Sequence, residues 1–364
     1  MEVFARRMVT LTRFRALVWV GVVVGTLFGP WAHAQRIVQI VDLDRGVLGV
    51  VVRDDSRTIL KTFDIATNKL ETRFAIDKPV SVVRGSRYSG AIMLTATEGE
   101  SMTPSYWLSR DQFATHSVVP GFDAVRALQK VVHAIAGDFY VVLDNTGEVP
   151  SYEIVHVEVG NSLGRVAVGE STSKTAFFPQ DCTAIETVHG KRLLMLEREM
   201  GRNNGALRLF DVPSMRLLNV IEFNGIPQQL SRGAGDTWDV SVIRNKQEHV
   251  MRFHVENEGT SLHKETLVHE LDFEAPWIQV ASGIAAMHQS EGAPDLLLFE
   301  IAQPRPNEEA IRVKSDELLK LNKDANWLLT GDGKHLVVWE NGARFRVLRI
   351  AFPEVSQVAN VVVD

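Results

Sequence analysis

Four histidines, His249, His254, His263 and His269, fall close together in this chain. Imidazoles grouped in this way can hold zinc or copper. Their spacing argues against a shared ion. His249 and His254 are five positions apart, so on one strand they point to opposite faces. No H-E-x-x-H pattern exists. His156-Val157-Glu158, His254-Val255-Glu256 and His263-Lys264-Glu265 would each set an imidazole and a carboxylate on one strand face. The zinc deaminase pattern also needs a cysteine pair, and Cys182 is the only cysteine. The same count excludes an intramolecular disulfide and a Cys-x-x-Cys-His haem site. Cys182 follows Gln180-Asp181 in a turn-like stretch, with His189 the nearest base in sequence; it reads as a half-buried small residue.

Carboxylates offer little more. Asp54-Asp55-Ser56-Arg57 reads as a hairpin loop, and Glu308-Glu309 also lies in a turn-rich stretch. Asp138, Glu186, Asp236 and Asp295 begin or precede strong strands, where residues at a channel mouth would sit; turn formation is the favoured reading of each. No G-x-S-x-G elbow and no P-loop is present. Trp107, Trp238, Trp277, Trp327 and Trp339 read as packing residues. Ala302 to Glu309 is the most plausible projecting loop. The sequence therefore assigns no catalytic, cofactor-binding or metal-ligating residue, and it calls for no cofactor.

The elements that would position these side chains are short strands. Apolar runs cover Val47 to Val52, Thr58 to Ile65, Phe139 to Leu143, Tyr152 to Val159 and Arg192 to Leu196. Further runs cover Ala206 to Val212, Trp238 to Ile243, Leu296 to Ile301, His335 to Trp339 and Phe345 to Ile350. Turn residues separate them, and Glu340-Asn341-Gly342-Ala343 predicts a tight hairpin. Phe122 to Val132 and Ser315 to Asn322 are the helical or irregular exceptions, while Phe177 to Cys182 and Arg198 to Asn204 read as loop insertions.

A phrase occurs twice. Phe63-Asp64-Ile65-Ala66-Thr67-Asn68-Lys69-Leu70 returns as Phe210-Asp211-Val212-Pro213-Ser214-Met215-Arg216-Leu217. The copies lie about three units of roughly 40–50 residues apart, the period of propeller blades. Weaker copies place strand ends at Asp64, Ser109, His156, Asp211, His254, Glu300 and Trp339. The reading is all-β: a single β-propeller of seven four-stranded blades over residues 35–364, with six or eight blades as alternatives. Closure of such a ring usually has one terminal strand complete a blade begun by the other terminus. Ile37 to Leu43 and Val355 to Asp364 are the candidates.

Phe63 to Val82 (FDIATNKLETRFAIDKPVSV) resembles the YVTN-type, WD40-like β-propeller repeat of secreted and periplasmic bacterial proteins. Asp64, Thr67, Lys69 and Pro79 match; the glycine before the proline is missing, with Asp77 near its place. Asp332-Gly333-Lys334-His335-Leu336-Val337-Val338 is similar to a turn and strand of the same superfamily. Asp211, Ser214, Arg216, Gly225 and Pro227 form a looser second copy. The resemblance implies a fold and leaves function open.

Residues 1–34 read as a cleaved signal peptide: Arg6, Arg7, Arg13 and Arg15, then an uncharged stretch from Ala16 to Trp31, then Ala32-His33-Ala34 before Gln35. The expected location is the periplasm or the exterior, with no stable membrane insertion after cleavage. The whole chain carries a formal charge of −6, and the basic leader leaves the remainder more acidic still. An acidic exported chain lacks the basic footprint that nucleic acid requires. Three functions fit. The first, favoured, is a non-catalytic binding or protein-interaction platform in the bacterial envelope, contacting another envelope protein or a small ligand at the channel mouth. The second is a propeller enzyme of lactonase or lyase type. The third is a subunit resembling the amine dehydrogenase large chain.

Overall fold

The computed structural model describes residues 35–363 apart from several connecting stretches. The longer of these are 84–89, 116–129, 145–150, 157–161, 168–176, 265–268, 272–277, 289–295, 301–310 and 314–325. The signal segment 1–34, most of the two predicted irregular segments, the loop 302–309, Asp138, Asp236, Trp277 and Asp295 lie outside the described residues.

Among the described residues the chain forms seven antiparallel sheets, each from strands consecutive in sequence. The first sheet is β1 (Arg36–Asp42), β2 (Val47–Asp54), β3 (Arg57–Asp64) and β4 (Lys69–Ile76). The second is β5 (Val80–Val83), β6 (Ala91–Glu98), β7 (Ser101–Ser109) and β8 (Phe113–Thr115). The third is β9 (Lys130–Ala136), β10 (Phe139–Asp144), β11 (Ser151–His156) and β12 (Ser162–Ala167). The fourth is β13 (Phe177–Thr187), β14 (Gly190–Glu199), β15 (Asn204–Asp211) and β16 (Arg216–Asn224). The fifth is β17 (Ile226–Arg232), β18 (Thr237–Arg244), β19 (Gln247–Glu256) and β20 (Ser261–Lys264), with β21 (His269–Leu271) also paired to β19. The sixth is β22 (Ile278–Ala281), β23 (Ile284–His288), β24 (Leu296–Glu300) and β25 (Ile311–Val313). The seventh is β26 (Asn326–Leu329), β27 (His335–Trp339), β28 (Arg344–Ala351) and β29 (Glu354–Val362).

The fold is an all-β propeller, and its sheet count agrees with the seven expected blades. The inner strands meet in turn: β9 touches β13, β13 touches β17, β17 touches β22, β22 touches β26 and β26 touches β1. The round is completed by β6, which touches β1 and β9. Each middle strand is covered on both faces, which is why its sequence is a continuous apolar run rather than an alternation. In β2, Leu48, Val50 and Val52 join a cluster with Val337, Trp339, Phe345 and Val347 of the seventh sheet. Val51, on the opposite face, packs with Ile92, Leu94 and Leu108 of the second. Burying each such side chain contributes about 1.5–3 kcal/mol. Similar clusters join the fourth sheet to the fifth and the sixth to the seventh. Trp238, Trp327 and Trp339 sit in or against these clusters, as packing residues.

The repeated phrase marks equivalent places. Asp64 and Asp211 end the third strands of their sheets, and the turn after each has its fourth residue left-handed, Asn68 at φ 55° and Met215 at φ 53°. The residue after each Asp donates its N–H to a carbonyl at the start of the second strand: Ile65 to Gly46 at 2.9 Å, and Val212 to Lys191 at 3.3 Å. Asp64 Oδ1 accepts from Thr67 N at 2.8 Å. Asp211 Oδ2 accepts from Ser214 Oγ, while its Oδ1 takes 2.6 Å from Arg192 Nη1.

Four expectations are corrected. Trp339 ends the second strand of its sheet, because strand-turn rhythm does not separate a second strand from a third; the third ends at Ala351. Phe177 to Cys182 is strand, so Cys182 is fully buried within β13 rather than in a turn, and burial pushes its thiol well up. Arg198 and Glu199 belong to β14, leaving only a short hairpin before β15. Finally, no blade is shared between the termini. β1 opens the first sheet and β29 closes the seventh, each complete in itself.

Candidate functional site

Polar side chains placed along the inner strands divide into two groups. The first group binds one blade to the next. Asp181 of β13 accepts from Cys182 N at 2.8 Å with Oδ1 and from Leu230 N of the fifth sheet at 3.1 Å with Oδ2. Gln279 of β22 does the same two interfaces further round, between the sixth and seventh sheets. Its Oε1 accepts from Leu329 N at 2.8 Å and its Nε2 donates to the Trp327 carbonyl at 3.0 Å. Both ties end on a backbone N–H of the next sheet's first strand, Leu230 in β17 and Leu329 in β26. At the far end of the strands, Ser282 N donates to the Arg232 carbonyl at 2.6 Å, and Ser282 Oγ donates to the Gly331 carbonyl at 2.8 Å. Arg192 Nε reaches the Gly259 carbonyl at 3.0 Å, tying the fourth sheet to the fifth.

The buried ions pair between neighbouring strands within one sheet. Asp239, fully buried, receives both Arg252 Nε at 2.8 Å and Arg252 Nη2 at 3.0 Å. Glu197 Oε2 accepts from Arg208 Nε at 2.6 Å, both side chains almost wholly enclosed. Burial raises the Glu197 pKa and the Arg208 charge opposes that rise.

The second group faces water. Three inner strands break register near their leading ends: β1 between Ile37 and Gln39, β13 between Pro179 and Asp181, and β17 between Pro227 and Gln229. In each, the pairing register skips one residue, and that residue is exposed: Val38, Gln180 and Gln228. Strand β9 breaks register at the equivalent place, extruding His133. Proline explains two of the four, since Pro179 and Pro227 cannot donate to the ladder at the step where it slips. An exposed residue on an innermost strand opens toward the axis, so these bulges rim the leading-end mouth. Gln228 Nε2 spans the Ile226 and Pro227 carbonyls, both at 3.3 Å, which turns its side chain along the rim. Gln180 and Gln228 contribute neutral amides, able to donate and accept hydrogen bonds without moving a proton.

The residues singled out from sequence fall elsewhere. His249 is buried and turned toward the fourth sheet, its Nε2 3.4 Å from the Arg244 carbonyl. His254 and His263 are cross-strand partners with ring centroids 6.5 Å apart, a pairing that spacing in sequence does not reveal. Among the described residues no group of His, Cys, Asp or Glu is arranged to hold a metal. Asp54 and Arg57 close the β2–β3 hairpin, with Arg57 Nη2 donating to Asp54 Oδ2 at 2.7 Å. Sequence reasoning missed the bulges. The signal available was Phe-Pro-Gln-Asp at 178–181 and Ile-Pro-Gln-Gln at 226–229, a proline followed by an amide at one register place in neighbouring sheets.

No protein-family model matches the chain, and no curated protein matches it in sequence. Solved structures do. The chain is similar to the Cps50 (Swd1) β-propeller domain of Myceliophteria thermophila, with 13% identity, 88% of this chain and 97% of that one covered, and a TM-score of 0.50. It is similar to Hsv2 of Kluyvelomyces marxianus, with 10% identity, coverage of 91% and 100%, and a TM-score of 0.53. Hydrazine synthase of Kuenenia stuttgartiensis aligns over 90% of this chain and 99% of its own at 12% identity, with a TM-score of 0.49. At these identities the likeness is one of fold, and the fold is the WD40-like β-propeller.

Proposed function

We propose that this chain is an exported propeller that acts by binding, a non-catalytic interaction platform of the bacterial envelope with its contact site at the bulged mouth. One observation carries the reading. Register breaks on the inner strands of the first, fourth and fifth sheets turn Val38, Gln180 and Gln228 to solvent, while the described buried ionisable side chains are bonded into the frame. Exposed amides suit recognition of an uncharged, hydrogen-bonding group on a partner protein or small ligand. The export element rests on the leader composition of residues 1–34.

The test has two arms. Intact-mass analysis of the exported protein is expected to give a chain beginning at Gln35; a full-length, membrane-held chain overturns export. A photo-crosslinking residue at Gln180 or Gln228 is expected to trap one defined adduct in cells, and the same residue at Thr72 on the outermost β4 is not. Equal labelling at both places, or lactonase or dehydrogenase turnover by purified protein that is lost in Gln180→Ala, overturns the platform reading.

A further inference from the structure

The ring closes where the first and seventh sheets meet, and this joint differs from its neighbours. On the inner strand of the seventh sheet Leu328 packs in the apolar cluster of this seam and has no polar atom to reach the first sheet. The polar tie runs the other way, from the other end of β1. Asp42 Oδ2 accepts from Gly331 N at 2.5 Å and Asp42 Oδ1 accepts from Asp44 N at 2.8 Å. Ile37 N adds one backbone bond to the Gly342 carbonyl at 2.8 Å. Asp42 is 5% exposed. No described cation contacts its carboxylate: Arg45 lies 3.8 Å from Asp44 and is largely in water. From the seventh sheet the charged and titratable groups are Asp332, Lys334, His335 and Arg349; from the second, Arg110 and Asp111, which pair with each other at 2.6 Å.

We propose that the joint is a proton-sensitive clasp, in which the Asp42 carboxyl holds the first and last blades together and its ionisation favours their local opening. Burial, with Asp332 and Asp44 adding repulsion, pushes Asp42 up to about 6, against the opposing pull of the Gly331 and Asp44 N–H groups. Its pKa is raised in the closed state. Closure is therefore most favoured below the ordinary carboxylate range, and the advantage is lost as pH rises through about 6. Opening hydrates the carboxylate, and the proton goes to solvent. His335 has the opposite sign. Burial lowers its pKa, so its contribution to closure is lost as pH falls below the ordinary imidazole value. The direction of the pH dependence therefore distinguishes the two groups.

Hydrogen exchange of the purified chain between pH 4.5 and 7.5, divided by the intrinsic exchange rate, tests this. Segments 36–44 and 326–335 are expected to lose protection as pH rises, by up to roughly thirtyfold, while 204–211 does not. Asp42→Asn is expected to flatten the profile. A flat profile in the native chain overturns the proposal, as does a slope that persists in Asp42→Asn. A slope of opposite sign assigns the behaviour to His335 and also overturns it, with His335→Gln as the check. Should Asp42→Asn fail to fold, the comparison between segments of the native chain still decides.

Discussion

Asp64 and Asp211 occupy one place in two sheets but do different amounts of work. Asp64 accepts a single bond from its own turn, so Asp64→Ala is expected to cost about 0.5–1.5 kcal/mol. Asp211 also takes the Arg192 guanidinium, itself buried between the fourth and fifth sheets, so Asp211→Ala is expected to cost about 1.5–3 kcal/mol. The bond from Ser214 and the nearby Arg192 charge hold Asp211 below the ordinary carboxylate range. Its contribution is therefore present at neutral pH and fades as pH falls through that lowered value. Urea midpoints of both variants at pH 7 and in acid give the ordering and the fade. The repeated phrase made the turn legible in sequence, because the Asp and the residues that accept its geometry are all local. Arg192 lies on another strand and its second partner, Gly259, on another blade, so nothing in the phrase announced that Asp211 was also half of an ion pair.

Strands were legible because each is an apolar run between turn residues, and all ten runs named from sequence fall on strands of the structure. What the runs did not show was register. The bulges at Val38, Gln180 and Gln228 shift pairing by one residue, a difference of hydrogen-bond partner that leaves composition unchanged. The ties between inner strands were hidden for the same reason: Gln279 reads as one more polar residue until its amide is seen bridging Leu329 N and the Trp327 carbonyl. Gln279→Leu has the right volume for its site and removes both bonds. It is expected to cost about 1–3 kcal/mol for each backbone group left buried without a partner. Chemical denaturation measures the loss. Gln228→Leu, at the exposed bulge, is expected to change stability by less than about 0.5 kcal/mol, so the pair separates frame from rim.

Among the described residues the seven sheets are each built from strands consecutive in sequence, and the seam between first and last is sealed by side chains rather than by a borrowed strand. Sequence reasoning expected strand exchange because closure needs some lock, and it could not see that a fifteen-residue apolar cluster and Asp42 provide one. The two ends of the folded chain emerge at this one seam, where β1 and the segment after β29 both bond to the Gly342–Ala343 turn, Ile37 N at 2.8 Å and Val363 N at 2.7 Å. The order in which the blades are strung is therefore separable from the ring they make. A circular permutant that joins Val363 to Gln35 through a short flexible linker and opens the chain at the exposed Val188-His189 turn keeps every strand whole and leaves the fourth sheet to be completed by its two new ends. Such a permutant is expected to fold with an unchanged circular dichroism spectrum. Its seam would then be spanned by covalent chain, with the new free ends moved to the fourth blade.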